Sequence, residues 1–331
     1  MAGLNPFPLL AALSPLLGVA GALVGEEVLV PRLAGCYGLY GVDVHKPWRP
    51  RVPETGGVAL LAGLLASLAP LLLVDPRGAA ALLLAGLWLW LLGLLDDRFR
   101  LDPVSKPLLS AGAALPLLAL GVASGYTRLP FIGWVRMSIV YPFLLVAGMS
   151  ISSNMFNMVD CLNGMMASAG LIVGWSMLAA ALIAGHAPAP WIAGLAGMVA
   201  VLGVHLYYNW YPARVFNGDS GSLLVGGVLL AYAVYLHLEY VFIAASLPLV
   251  LNGFTILSSI RGFRERREIP RPTSVTGEGL IVARRDPSAP ITLIRLLTLR
   301  RGLREDEVVK AFIIVMVFSS TLAVLSALFM P

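Results

Sequence analysis

Across residues 161–213 the chain carries no Asp, Glu, Lys or Arg. Apolar stretches of this kind constrain the fold more than any other feature. A bilayer core about 30 Å thick takes roughly 20 residues of helix, and within it each backbone N–H and C=O must find its partner inside the segment. Counting the uncharged runs predicts ten helices, near residues 7–30, 56–74, 78–95, 107–125, 138–157, 164–185, 190–208, 220–237, 240–259 and 311–329. The longest run divides at Gly185-His186-Ala187-Pro188-Ala189-Pro190, where prolines suit a turn. The first span has Glu26 and Glu27 near its end and prolines within it. A signal peptide is its rival reading, disfavoured because no basic region precedes the apolar run.

With 58% hydrophobic and 12% charged residues, the chain falls far below the roughly 25% charged typical of soluble domains. The fold class is therefore all-α: one polytopic membrane domain over residues 1–331 with a basic loop at 261–310. Cys36 and Cys161 stand without CxxC or Cys/His spacing, which excludes a zinc site, and both read as packing residues.

Alternating ten spans across a bilayer sorts the basic residues. One side receives Arg32, Lys46, Arg49, Arg51, Arg98, Arg100, Lys106, Arg214 and the twelve at 261–310, 20 in all, against Arg77, Arg128 and Arg136 on the other. Lys and Arg are retained on the cytoplasmic side during insertion, so the 20-residue side is cytoplasmic and both termini face outside. A net charge of +5 sorted this way needs no nucleic-acid partner. The acids, Asp75 and Glu239 excepted, lie at or near the cytoplasmic face, and none sits in the middle of a span. Ion-coupled transporters usually need ionisable groups near the midplane, so a transporter or lipid-binding protein is the weaker alternative.

Chemistry then belongs to the cytoplasmic connections. Asp96-Asp97, followed nine residues later by Lys106, offers adjacent carboxylates that suit Mg²⁺, an ion that takes few protein ligands and completes its shell with phosphate oxygens and water; a solvated helix end is the plain alternative. Asn154, Asn157 and Asp160 recur at three-residue steps and share one side of a helix, with Asn163 three residues further on. The turn Arg214-Val215-Phe216-Asn217-Gly218-Asp219-Ser220-Gly221 supplies an acid for a metal, glycines that let backbone amides approach phosphate and a flat ring for a base. Its bland reading is a helix start with Asp219 or Ser220 as N-cap. The arginines at 261–271 suit phosphates or anionic lipid head groups alike.

The ordered set KPWRPRVPETGG (46–57), Asp96-Asp97 with Lys106, NMFNMVDCLNG (154–164) and NWYPARVFNGDSG (209–221) resembles the polyprenyl-phosphate N-acetylhexosamine-1-phosphate transferase family, and within it the dolichyl-phosphate N-acetylglucosaminephosphotransferase branch. The resemblance implies a ten-helix fold with a cytoplasmic groove open to the membrane lipid. It also implies transfer of N-acetylglucosamine-1-phosphate from UDP-N-acetylglucosamine to dolichyl phosphate, with UMP released and Mg²⁺ (or Mn²⁺) required. By the same resemblance Asp219 and Asn157, with Asp160 as a further candidate, are the metal ligands. Asp96, Asp97 and Lys106 are catalytic; Glu54, Phe216, Asn163 and Asn154 bind the nucleotide sugar; Arg266, Arg267 and Arg271 bind the diphosphate. Undecaprenyl phosphate or another UDP-N-acetylhexosamine would fit the same motifs, and a homodimer is an allowed assembly. Arg100 stands where bacterial members carry a third acid, and loop 261–310 has no histidine.

Overall fold

The computed structural model describes residues 11–264 and 268–330. The first helical run is α1 (Ser14–Val24), a π-helical turn over Gly25–Leu29, and α2 (Val30–Tyr37), closed by Gly38 at φ 66°. A short antiparallel hairpin, β1 (Tyr40–Val42) with β2 (Arg51–Pro53), leads into α3 (Gly56–Leu68), α4 (Leu71–Val74) and α5 (Pro76–Phe99). Then come α6 (Ser105–Ala111), a 3₁₀ turn, α7 (Leu115–Ala119) and the hairpin β3 (Tyr126–Leu129) with β4 (Gly133–Arg136). The long helices α8 (Tyr141–Val159), α9 (Met165–Ala184), α10 (Ala189–Asn209) and α11 (Gly218–Leu236) follow, then α12 (Glu239–Ala245) and α13 (Leu247–Ser259). The hairpin β5 (Thr273–Val275) with β6 (Ile281–Ala283), a short α14 (Leu293–Leu297) and α15 (Glu305–Ala327) complete the chain.

Among the described residues, seven helical segments are long and apolar enough to cross a membrane: Gly56–Val74, α5, α8, α9, α10, α11 and α15. The pair α12 and α13, bent by 63°, makes an eighth if taken as one span. The expected first and fourth spans are helical but segmented. Proline explains most breaks, because it lacks the N–H for an i→i−4 bond and its ring crowds the preceding turn. Pro70 precedes α4, Pro116 opens α7 and Pro248 opens α13. The turn between α9 and α10 falls at Gly185–Pro188, where the prolines placed it. One expectation needs correcting: Cys36 and Cys161 are both exposed, since each sits on the outer side of its helix end rather than among packed neighbours.

The most enclosed helix is α11, which packs along α5, α8 and α3. Its N-terminus is reached by two glycines. A Cβ on Gly57 would run into Ser220 Oγ and the Gly221 amide, and one on Gly93 into the Ser220 backbone. Missing side chains therefore set how closely α3 and α5 approach the start of α11. Gly93→Ala is expected to destabilise the protein by about 1–3 kcal/mol, the usual range for overpacking, read as a lower thermal midpoint in detergent. Gly203→Ala, where a Cβ meets nothing within 4 Å, should be neutral or slightly stabilising because it relieves the helix cost of glycine.

Candidate active site

Three helix ends meet at the acids. At the C-terminus of α5, Arg100 at φ 54° ends the helix and its N–H bonds the Asp96 carbonyl at 2.8 Å. Asp96 Oδ1 accepts from Leu101 N at 2.6 Å, so one oxygen of this buried carboxylate closes the turn and leaves the other for the site. Asp97, exposed, points at the N-terminus of α11. It accepts from Asp219 N at 2.9 Å and Ser220 N at 3.3 Å. The unpaired amides of that helix start are thus satisfied by a carboxylate from another helix, where the positive end of the dipole favours a negative charge. Neither Asp219 nor Ser220 is the N-cap; Asn217 holds that position and makes no side-chain cap bond. Gly218, at φ 67°, leaves room for Asp97, whose Oδ2 would lie 2.9 Å from any Cβ there.

Lys106 sits at the centre. Its Nζ lies 2.7 Å from Asp96 Oδ2, 2.6 Å from Asp219 Oδ2 and 2.9 Å from Asn157 Oδ1. Asn157 Nδ2 in turn donates to Asp219 Oδ1 at 2.6 Å and to Ser222 Oγ at 2.9 Å. Four residues that are remote in sequence, on α5, α6, α8 and α11, form one network. Its three converging oxygens are hard donors around a cationic centre, the donor chemistry that suits Mg²⁺. Asp219 and Asn157 are the residues that would hold a metal, with the free oxygen of Asp96 beside them.

The three-residue steps of α8 keep their shared side. Asn154 Nδ2 donates to Ser110 Oγ at 2.8 Å, and Asp160, just past the helix end, accepts from Asn217 Nδ2 at 2.6 Å. Burial pushes the Asp160 carboxyl up to about 7, the charges of Asp219 and Asp97 add to the rise, and the Asn217 hydrogen bond opposes it. Glu54 and Phe216 both flank Gly41 of β1: a Cβ there would lie 3.3 Å from Glu54 Oε2 and 3.0 Å from the Phe216 ring. Desolvation, then the Asp219 charge, raises the Glu54 carboxyl above its ordinary range.

Asn163 and Arg271 belong to a second cluster, and Arg266 and Arg267 lie outside the described residues. Lys46, 2% exposed, pairs with Asp43, bonds Asn163 Oδ1 at 2.5 Å and reaches Glu305 Oε2 at 3.1 Å. Asn163 N donates to Glu305 Oε1 at 2.8 Å, and Ala213 N donates to Asn163 Oδ1 at 2.9 Å. The knot ties the α2–α3, α8–α9 and α10–α11 connections to the start of α15. His45 completes an Asp43, His45 and Glu305 group whose ligand atoms lie within 4.8 Å of one another. Burial pushes the imidazole down against the pull of Glu305 and Asp43, and Arg271 adds to the fall. Asp43 and His45 passed in the sequence as part of a basic, proline-rich connection, and Glu305, the acid that completes the group, is 259 positions from Lys46. Lys46→Met would strand two buried carboxylates and is expected to cost about 3–5 kcal/mol in thermal or denaturant unfolding; adding Glu305→Gln should restore part of it.

Residues 79–237 match the model of glycosyl transferase family 4. The match covers just under half of the chain. The matched stretch holds Asp96, Asp97, Lys106, Asn157, Asp160 and Asp219, the whole acid and amide network, whereas Glu54 and the Lys46–Glu305 knot lie outside it or straddle its ends. A provisionally named UDP-N-acetylglucosamine–dolichyl-phosphate N-acetylglucosaminephosphotransferase of Saccharolobus solfataricus is 33% identical over 202 residues, 59% of this chain and 62% of that protein. A relative under the same provisional name in Sulfolobus acidocaldarius is 29% identical, covering 73% of this chain and 77% of its own length. The decaprenyl-phosphate N-acetylglucosaminephosphotransferase of Mycobacterium tuberculosis is 35% identical over 57% of this chain and 50% of its own. The chain thus matches less than two thirds of the first of these relatives. All three names describe N-acetylglucosamine phosphotransfer, and they differ in the polyprenyl phosphate.

Proposed function

We propose that this protein transfers N-acetylglucosamine-1-phosphate from UDP-N-acetylglucosamine to a polyprenyl phosphate, with dolichyl phosphate the first choice, and releases UMP. The observation that carries the reading is the convergence of Asp96, Asn157 and Asp219 on one cation position, beside Asp97 and at a helix N-terminus. An oxygen of the lipid phosphate attacks the β-phosphorus of the donor, the bond to the bridging oxygen breaks, and that oxygen leaves with UMP. A phosphate monoester with a second pKa near 6 is mostly dianionic at pH 7, so no strong base is needed, and Asp96 is the candidate to take the remaining proton. The barrier is chiefly repulsion between anions and their positioning. Mg²⁺ supplies charge neutralisation between the two phosphates when bound.

Among the chain's own groups, Lys106 carries a second positive charge for the diphosphate. Glu54 and Phe216, adjacent around Gly41, are placed to receive the uridine. Arg271, with Arg266 and Arg267, adds a basic approach to the diphosphate. The 20-to-3 sorting of basic residues supports a cytoplasmic site in the cell membrane, with a groove open to the lipid. Ten spans, with both termini outside, follow if the segmented first and fourth runs also cross.

UMP release by detergent-purified protein tests this directly. Release is expected to require UDP-N-acetylglucosamine, dolichyl phosphate and Mg²⁺ together, and Asp219→Ala should lower it by about 10²–10³-fold or more, the scale of losing a group that stabilises transferring charge. Faster release with undecaprenyl or decaprenyl phosphate, as the name of the mycobacterial relative suggests, would move the acceptor and keep the reaction. Folded protein that releases no UMP with any donor and acceptor would favour a transporter or lipid-binding protein.

A further inference from the structure

A chain of buried polar groups runs from the first helix to the acids. Glu26, 2% exposed, places Oε1 2.5 Å from His205 Nδ1; His205, fully buried, places Nε2 2.5 Å from Asn217 Oδ1; Asn217 Nδ2 donates to Asp160 Oδ1 at 2.6 Å. Its directions follow from what each atom is able to give. A carboxylate only accepts, so the Asn217 amide turns its NH₂ to Asp160 and its oxygen to the imidazole. His205 Nε2 then donates to Asn217, and its Nδ1 faces Glu26.

The local backbone accommodates this chain. Glu26 lies in the π-helical turn Gly25–Leu29, a feature that shifts the side-chain register of a helix by one residue. Its neighbour Glu27 hydrogen-bonds Tyr208, one turn of α10 from His205. Gly56 leaves space for the imidazole: a Cβ there would stand 2.8 Å from His205 Cε1 and 2.6 Å from the Phe216 carbonyl. The Asn217 carbonyl is itself fixed by Gly57 N at 2.9 Å.

Asn217 stands two residues before Asp219, and Asp160 three after Asn157. Its side chain therefore joins the two segments that carry the Asn157–Asp219 pair. We infer that Glu26 and His205 are positioning residues which, through Asn217, lock the end of α8 to the start of α11 and so set the spacing of Asn157 and Asp219 around their cation. The inference rests on those two residues holding a divalent ion, as proposed above, and not on the identity of either substrate. It also accounts for a buried histidine and glutamate with which the transfer chemistry has no direct business.

Mn²⁺ titration of the purified protein, followed by electron paramagnetic resonance without substrates, tests it, with UMP release measured in parallel. Asn217→Leu, which keeps the bulk and loses both hydrogen bonds, is expected to weaken Mn²⁺ binding about 10–100-fold, the usual loss when a residue supporting a metal ligand is removed. His205→Leu should do the same, alone or with Glu26→Gln to neutralise the stranded carboxylate. His205→Gln, whose amide can donate to Asn217, should recover most of the affinity. Unchanged Mn²⁺ affinity in folded Asn217→Leu would overturn the inference, as would a wild-type protein that binds no Mn²⁺. Wild-type protein that binds Mn²⁺, loses it on these substitutions and releases no UMP would leave the inference standing and sink the transferase reading.

Discussion

Everything at the acid-bearing end of this helical bundle depends on keeping several carboxylates together without letting them repel one another apart. Asp96 and Asp97 stand at the end of α5, Asp160 just past the end of α8 and Asp219 in the first turn of α11. The counter-charge is supplied locally: the Lys106 ammonium sits within 2.6–2.9 Å of Asp96, Asp219 and Asn157 oxygens, and the start of α11 offers its free amides to Asp97. Among the described residues the Lys106 ammonium pairs with both Asp96 and Asp219, and on the proposed reading a divalent ion would add the charge that two phosphates need.

Close backbone approach makes the arrangement possible. Gly57 and Gly93 let α3 and α5 press on the first turn of α11, and Gly218 lets Asp97 reach its amides. None of these positions tolerates a Cβ without movement of the atoms it meets. The apolar bulk of the bundle, with α11 at its most enclosed point, then holds the three helix ends in register, since packed interiors resist small displacements. Stability and chemistry meet at the same turn: the hydrogen bonds that finish helices α5 and α11 are made by Asp96 and Asp97, the residues assigned to the reaction.

Much of this was legible in the sequence, for a clear physical reason. Uncharged runs of membrane-spanning length leave few structures available, so α5, α8, α9, α10, α11 and α15 fall where hydropathy puts them. Polar residues at the ends of such runs stand out because nothing else there is polar, and Asp96, Lys106, Asn157 and Asp219 do meet. What escaped was pairing at a distance. Glu26 entered the reading only as a blemish at the end of a span, because a π-helical turn leaves no mark in an apolar pattern and its partner His205 is 179 positions away. Lys46 looked like one more cytoplasmic positive charge, whereas it is buried in a knot with Asp43 and Glu305. Segmented spans were missed because Pro116 and Pro248 interrupt helices without interrupting hydrophobicity.

The central claim is that the Lys106 network, and not the separate Asp43, His45 and Glu305 group, is where the divalent cation acts. Crystals grown with Mn²⁺ and UDP-N-acetylglucosamine, with diffraction collected at the manganese edge, decide between them. The account predicts an anomalous peak bound by Asp219 with the donor diphosphate beside it and Lys106 turned toward the phosphates. A peak held by Asp43, His45 and Glu305, or a bound diphosphate with no metal at Asp219, would contradict it.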